Sequence, residues 1–200
     1  MRVLLTGANG WIGSMVAREL LDAGHSVVGL VRSKEKGDAL AAVGVTPLVG
    51  TLRDLDVLRQ GAGDADGVIH TAFGLDLSKI GELAEEDRGA IETFGDVFAG
   101  TARPIIVTGG IGIVAVGEVF TEDARPPVIP DFPRASEQTT FALADRGLRA
   151  SVVRNPRSVH GVGETHGFVP MLTAVARDKG VSAYVGDGQN LWPSVGGGSV

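Results

Sequence analysis

Two hundred residues make a chain long enough for one domain with a substantial core. A net charge of −6 argues against a broad nucleic-acid surface, and no uninterrupted apolar stretch is long enough to span a membrane. The chain has no cysteine, which removes disulfides, thiolate metal sites and cysteine nucleophiles and suits a reducing, cytoplasmic setting; a strand starting at Arg2 leaves no room for a signal peptide.

Residues 2–6 are an apolar run of strand length. Gly7-Ala8-Asn9-Gly10-Trp11-Ile12-Gly13 follows at once, and then Met15, Val16, Leu20 and Leu21 recur on one helical face before Gly24. Strand, glycine turn and helix, in that order, are the context in which a glycine fingerprint signals dinucleotide binding. The chain must turn sharply off the strand, and a pyrophosphate must approach the backbone near Gly10 without meeting side chains. The helix opening near Trp11 offers unpaired N–H groups and the positive end of its dipole.

The glycines fall as G-x-x-G-x-x-G after a threonine. This resembles the Thr-Gly-x-x-Gly-x-x-Gly of short-chain dehydrogenases/reductases, particularly the extended and atypical branches that include NAD-dependent epimerases and dehydratases. The resemblance implies an α/β Rossmann fold, a doubly wound parallel sheet of order 3-2-1-4-5-6. It places Thr6, Gly7, Asn9, Gly10, Trp11, Ile12 and Gly13 around the cofactor.

Residues 25–31 read as the second strand, with a helix to about Ala42 after it. A ribose-reading residue belongs about 20 residues beyond the glycine turn. NAD sites usually hold Asp or Glu there. This chain has Arg32, flanked by Ser33 and Lys34, and no acid until Glu35. A guanidinium holds a 2′-phosphate by paired charged bonds, so NADP is the expected cofactor and NAD the alternative.

Residues 45–49 are the third strand, and a short helix through Leu55 and Leu58 follows. Where the resembled families commonly read Gly-Asp-Leu beside adenine, this chain reads Gly50-Thr51-Leu52. Thr51 and Leu52 are the expected adenine contacts. The fourth strand, residues 66–70, continues into Thr71-Ala72-Phe73. It resembles the Val-Ile-His-x-Ala segment that runs beside the nicotinamide ribose, which assigns His70, Thr71, Ala72 and Phe73 to the cofactor site.

A long helix is expected over 79–99. Ile80, Leu83, Ala84, Ile91, Phe94, Val97 and Phe98 are its apolar positions, and Glu82, Glu85, Glu86, Asp87 and Arg88 mark its solvated face. It packs on the sheet or on a second subunit. Helices like it join dimers in the resembled family, which implies a homodimer as one arrangement.

The fifth strand, residues 104–108, delivers a catalytic serine in that family. Here only Thr108 supplies a hydroxyl. Residues 121–133 read as a surface loop, and a helix runs from Ser136 to about Gly147. Residues 149–154 form the sixth strand. It leads into Asn155-Pro156-Arg157-Ser158-Val159-His160-Gly161, similar to the Arg-x-Pro-x-x-Val-(Tyr or His)-Gly of extended members when read from Arg154. A further helix is expected over 168–178.

The family's chemistry normally rests on Tyr-x-x-x-Lys. A lysine one turn away lowers the phenol toward neutral pH. This chain has one tyrosine, Tyr184, and Gly188 stands four residues on. Aligning Glu137 with the glutamate that usually follows the motif puts Ile129 at the tyrosine position and Pro133 at the lysine position. A proton donor must come from elsewhere: Thr108, Arg134, His160 or water.

The run from Val181 to Gly188 and the pair Trp192-Pro193 still resemble the family, but the chain then reads Val195-Gly196-Gly197-Gly198-Ser199-Val200. A truncated or frame-shifted product is the expectation, which would leave Met171 and Leu172 uncovered, and a naturally short member is the alternative. The domains read as 1–160, an NAD(P)-binding Rossmann domain, and 161–200, the incomplete start of a substrate region. Two functions compete. One is an NAD(P)-dependent oxidoreductase acting on a small carbonyl, alcohol or sugar-related substrate. The other is a catalytically silent NADP-binding or redox-sensing protein. A metal-dependent hydrolase fits poorly, because the sequence has neither H-E-x-x-H nor G-x-S-x-G, and no metal is expected.

Overall fold

The structure is a computed structural model that describes residues 1–74, 76–111, 121–125, 133–165, 167–191 and 193–196. Ile129, Trp192 and residues 197–200, which the sequence reading singled out, lie outside the described residues. The chain divides into two compact units, Met1–Arg154 and Asn155–Val200; the sequence reading placed a division after residue 160.

In the first unit the apolar runs become β1 (Arg2–Thr6), β2 (Ser26–Val31), β3 (Thr46–Val49), β4 (Gly67–His70), β5 (Ile105–Gly110) and β6 (Ala150–Asn155). They form one six-stranded sheet of order β3-β2-β1-β4-β5-β6. The pairs β1–β2, β1–β4, β2–β3 and β4–β5 are parallel. The expected Rossmann order is therefore the observed one.

The strands read as continuous apolar runs because both faces of the sheet are covered. Successive side chains alternate between two cores. Leu4, Val28, Leu30 and Val68 join Leu58, Ile91, Phe94, Phe98, Ile105 and Leu143 on one face. Leu5, Val27 and Val31 join Ala8, Ala17, Leu40 and Val45 on the other. The connecting helices are α1 (Trp11–Asp22), α2 (Lys34–Ala41), α3 (Leu55–Gly63), α4 (Ile80–Phe98) and α5 (Ser136–Asp145). A 3₁₀ turn over Leu77–Lys79 precedes α4, and α4 packs against both α3 and α5.

One residue of α4 departs from the sequence reading. Asp87 is buried, 1% exposed, not solvated with its acidic neighbours. It stands three residues after Ala84 and four before Ile91, so it lies in the apolar stripe.

The second unit contains β7 (Ser158–His160), α6 (Phe168–Lys179) and β8 (Ser194–Gly196). β7 and β8 pair in parallel, which the sequence reading did not anticipate. The helix ends at Gly180 in the left-handed conformation, φ 66°. Met171 and Leu172 are exposed. Among the described residues no helix is long and apolar enough to cross a membrane.

Candidate cofactor site

The site begins where β1 ends. Gly7 takes φ 73°, a left-handed conformation that turns the chain off the strand. The Gly10 N–H then donates to the Gly7 carbonyl at 2.8 Å, which closes the turn. Gly10 is the N-cap of α1, with no side-chain cap and no acidic residue in the first turn. The helix therefore presents its own N–H groups and positive dipole end, the arrangement that receives an anion.

The glycines do different jobs. A Cβ on Gly13 would lie 2.1 Å from the Gly7 carbonyl oxygen and 2.9 Å from Thr71 Oγ1. Gly13 lets the helix pack onto the strand. A Cβ on Gly10 would meet only the Gly7 oxygen, at 3.2 Å. Gly10 is exposed, so its missing side chain clears space that the protein does not itself fill. That cradle fits a pyrophosphate approaching the backbone. Asn9 is exposed beside it, and Trp11 and Ile12 are half-buried.

Arg32 lies just past β2, two residues beyond the Thr6–Leu30 register pair, next to the glycine turn. It is exposed and makes no hydrogen bond or ion pair among the described residues. Its neighbours are engaged. The Ser33 hydroxyl accepts the Lys36 N–H at 3.3 Å and caps α2. Lys34 pairs with Asp38 at 2.9 Å.

Thr51, the expected adenine contact, is bonded within its own turn. Its backbone N–H and its hydroxyl both donate to Asp54 Oδ2, each at 2.8 Å. The same hydroxyl accepts the Arg53 N–H at 3.2 Å. It is committed to the turn that opens α3, and these bonds hold the Asp54 carboxyl below its ordinary pKa. Leu52 packs against the first core.

On the other side of β1 the structure draws together residues that are far apart in sequence. Thr6 and His70, 0% and 1% exposed, face one another across the β1–β4 register pair. Thr6 Oγ1 is 2.7 Å from His70 Nδ1, and His70 Nε2 is 3.1 Å from Asp87 Oδ1. The Ser136 hydroxyl donates to Asp87 Oδ2 at 2.6 Å, and Arg134 Nε donates to Ser136 Oγ at 3.0 Å. The partners assign the His70 tautomer: Nε2 donates to the carboxylate, and Nδ1 accepts from Thr6. Every donor in this chain points toward Asp87, so one buried carboxylate anchors both arms.

This geometry corrects the placement of His70 at the cofactor surface. Both its nitrogens are occupied inside the unit, where its ring also meets the Phe94 ring edge-on at 5.8 Å. The Thr71 hydroxyl donates to the Thr6 carbonyl at 2.7 Å, and the Ala72 N–H reaches Thr6 Oγ1 at 3.3 Å. The sequence reading placed Asp87 on the solvated face of its helix and took Ser136 only as a helix start; both are buried. The position of Asp87 within the Ala84–Ile91 stripe was the available signal.

Thr108 and Arg134 come together. The Thr108 hydroxyl donates to the His70 carbonyl at 3.0 Å. Arg134 Nη2 reaches the Thr108 carbonyl at 3.5 Å, and its guanidinium stacks 3.8 Å above the Phe73 ring. Burial lowers the Arg134 pKa from its ordinary value, and the Asp87 charge opposes that shift. His160 is in the other unit, on β7, and its Nδ1 is shielded without a hydrogen-bond partner among the described residues. Tyr184 is also in that unit and is 73% exposed.

Glu137, next in α5, is bound to Arg154 at 2.5 Å, and both are largely buried. Arg154 also donates to the carbonyls of Thr121, at 3.0 Å, and Ala124. The pair thus ties β6, α5 and residues 121–125 together.

A parallel sheet of this order, with its first strand ending on an uncapped, glycine-cleared helix, defines a dinucleotide-binding Rossmann protein. Comparison with known proteins narrows the class. Residues 7–169 match the NAD(P)H-binding family, and the chain belongs to it. An uncharacterized protein of Schizosaccharomyces pombe is 50% identical over 98% of this chain, which spans 66% of that relative's length. A 4-hydroxy-2-methyl-3-oxo-4-farnesyl-3,4-dihydroquinoline-1-oxide ketoreductase of Stigmatella aurantiaca is 29% identical over 90% of this chain and 56% of its own length. Among solved structures, Thermus thermophilus UDP-glucose 4-epimerase in complex with NAD superposes with a TM-score of 0.75 at 22% identity, covering 99% of this chain and 71% of that one.

Proposed function

We propose that the chain is an NADP-preferring oxidoreductase of the epimerase/dehydratase-like kind, acting on a small carbonyl, alcohol or sugar-related substrate. The observation that carries this reading is the glycine turn with Arg32, which has no side-chain partner among the described residues, just past the neighbouring strand. The N–H groups of Trp11 to Gly13 in the first turn of α1 would hold the pyrophosphate, and Arg32 would hold the 2′-phosphate. Thr71, Ala72 and Phe73 would border the nicotinamide side. When bound, the dinucleotide supplies hydride donation or acceptance. Its family membership and the ketoreductase relative support the redox assignment.

A charge-assisted bond is worth about 1.5–3 kcal/mol, so Arg32 accounts for about a ten- to hundredfold preference for NADP. Arg32→Glu is therefore expected to raise the NADP dissociation constant by at least about tenfold while moving the NAD value much less. Equal effects on both would reject the 2′-phosphate role.

The lone, exposed Tyr184, followed by Gly188 and not lysine, favours a second reading: a silent NADP-binding or redox-sensing protein. NADPH oxidation with a panel of aldehydes, ketones and nucleotide sugars separates the two. Turnover of any member supports the oxidoreductase. Tight NADPH binding with no turnover supports the sensor.

A further inference from the structure

We propose that Arg134 is a carboxylate-binding residue on the nicotinamide side of the site, and that the substrate taken there is a small oxo acid. The inference deepens the oxidoreductase reading and rests on it for the word substrate.

Arg134 is more than a structural cation. A guanidinium carries five N–H donors in a rigid fork. One is used by Ser136 and one reaches the Thr108 carbonyl at 3.5 Å, a long contact. The others have no partner among the described residues. No described carboxylate pairs with the group directly; Asp87 is reached only through the Ser136 hydroxyl. A half-buried cation with spare donors gains from an anion that completes it.

The location selects the anion. Arg134 lies over Phe73, which follows β4, and beside Thr108 in β5. In a doubly wound sheet ligands bind outside the carboxyl ends of the strands. Arg32 and the glycine turn serve the cofactor phosphates from β1 and β2. Arg134 is on the β4–β5 side, and its paired donors match a carboxylate. Ser136 and Asp87 are positioning residues: they fix Nε, and the stack on Phe73 fixes the plane.

The test is calorimetric titration of acetoacetate into the protein, with and without saturating NADP, for wild type, Arg134→Met, Arg134→Lys and Ser136→Ala. Acetoacetate is expected to bind the wild type. Arg134→Met should weaken it by at least about tenfold, the equivalent of one charge-assisted bond. Lysine, which keeps the charge but loses the fork, should restore part of the affinity. Ser136→Ala should weaken it by about threefold through lost orientation and should lower Tm because buried Asp87 loses a donor, without changing the NADP dissociation constant appreciably. Failure of the wild type to bind acetoacetate, or equal binding by Arg134→Met, overturns the proposal. A weaker NADP affinity in Arg134→Met with acetoacetate binding unchanged assigns the residue to a cofactor phosphate instead and also overturns it. If NADP fails to bind any form, the oxidoreductase reading falls, and acetoacetate binding to the bare protein still decides the role of Arg134.

Discussion

At the carboxyl edge of the sheet, residues 7–13 make room by omitting side chains, whereas His70, Asp87 and Ser136 fill the neighbouring interior with polar ones. The glycine turn is held by backbone: one N–H on one carbonyl, and the Gly7 carbonyl oxygen only 2.1 Å from where a Gly13 Cβ would stand. The polar chain is held by side chains from β1, β4, α4 and α5, all converging on one carboxylate. At Gly7 and Gly13 the first region can accept almost no added side chain. The second can accept almost no loss of hydrogen-bonding capacity. One is set by sterics, the other by the cost of leaving a buried polar group unpaired.

That contrast can be broken by mutation. Gly13→Val forces a side chain into the Gly7 carbonyl, and overpacking of this kind costs about 3 kcal/mol. Denaturant unfolding should show that loss together with loss of NADP binding. A stable variant would show that the helix is free to shift.

Asp87→Ala leaves His70 Nε2 and the Ser136 hydroxyl without an acceptor, a loss of about 2 kcal/mol. Were Asp87 a surface residue, the change would stay within about 0.5 kcal/mol. Denaturation midpoints decide between these values, and little effect would dissolve the idea of a single anchoring carboxylate.

Thr51→Ala has the smallest expected effect. The Thr51 hydroxyl and N–H lower the folded pKa of Asp54. A depressed carboxylate contributes stability above its unfolded pKa and loses it as pH falls through the folded value. The wild type should therefore melt slightly above the variant at neutral pH, and the gap should close as pH drops through and below the carboxylate range. A gap that widens in acid would contradict the assignment.

The same contrast explains what could be read from sequence. The glycine turn was legible because steric demands fix residue type at fixed spacing, and the strand order followed only as what the family resemblance implied. Gly7, Gly10 and Gly13 carry their reasons within seven residues. The polar chain carries its reasons across the fold. Thr6 and His70 are 64 residues apart, and Asp87 and Ser136 are 49 apart, so only the packed sheet and helices bring them together.

Asp87 was misread because its charge was weighed before its place in the stripe. Its acidic neighbours Glu82, Glu85 and Glu86 made the face look solvated. The departure at Thr51 was visible, but its hydroxyl was assigned outward because the Asp54 turn is a local geometry that spacing alone does not reveal. β7 and β8 escaped notice because three-residue strands leave no periodic pattern, and their pairing joins Ser158 to Ser194.

The account turns on the claim that residues 7–13 are a working dinucleotide cradle and not only a tight turn. The most direct test is calorimetric titration of NADP, then NAD, into the wild type and into Gly10→Ala. A Cβ there meets one carbonyl oxygen, at 3.2 Å, a tight contact that a small shift of the turn relieves, so the variant should fold with a modestly lowered Tm. The account predicts tight NADP and weaker NAD binding by the wild type, and at least about tenfold weaker NADP binding by the variant, because the pyrophosphate has lost its close approach. Equal NADP affinity in the two proteins, or no binding by a folded wild type, would contradict it.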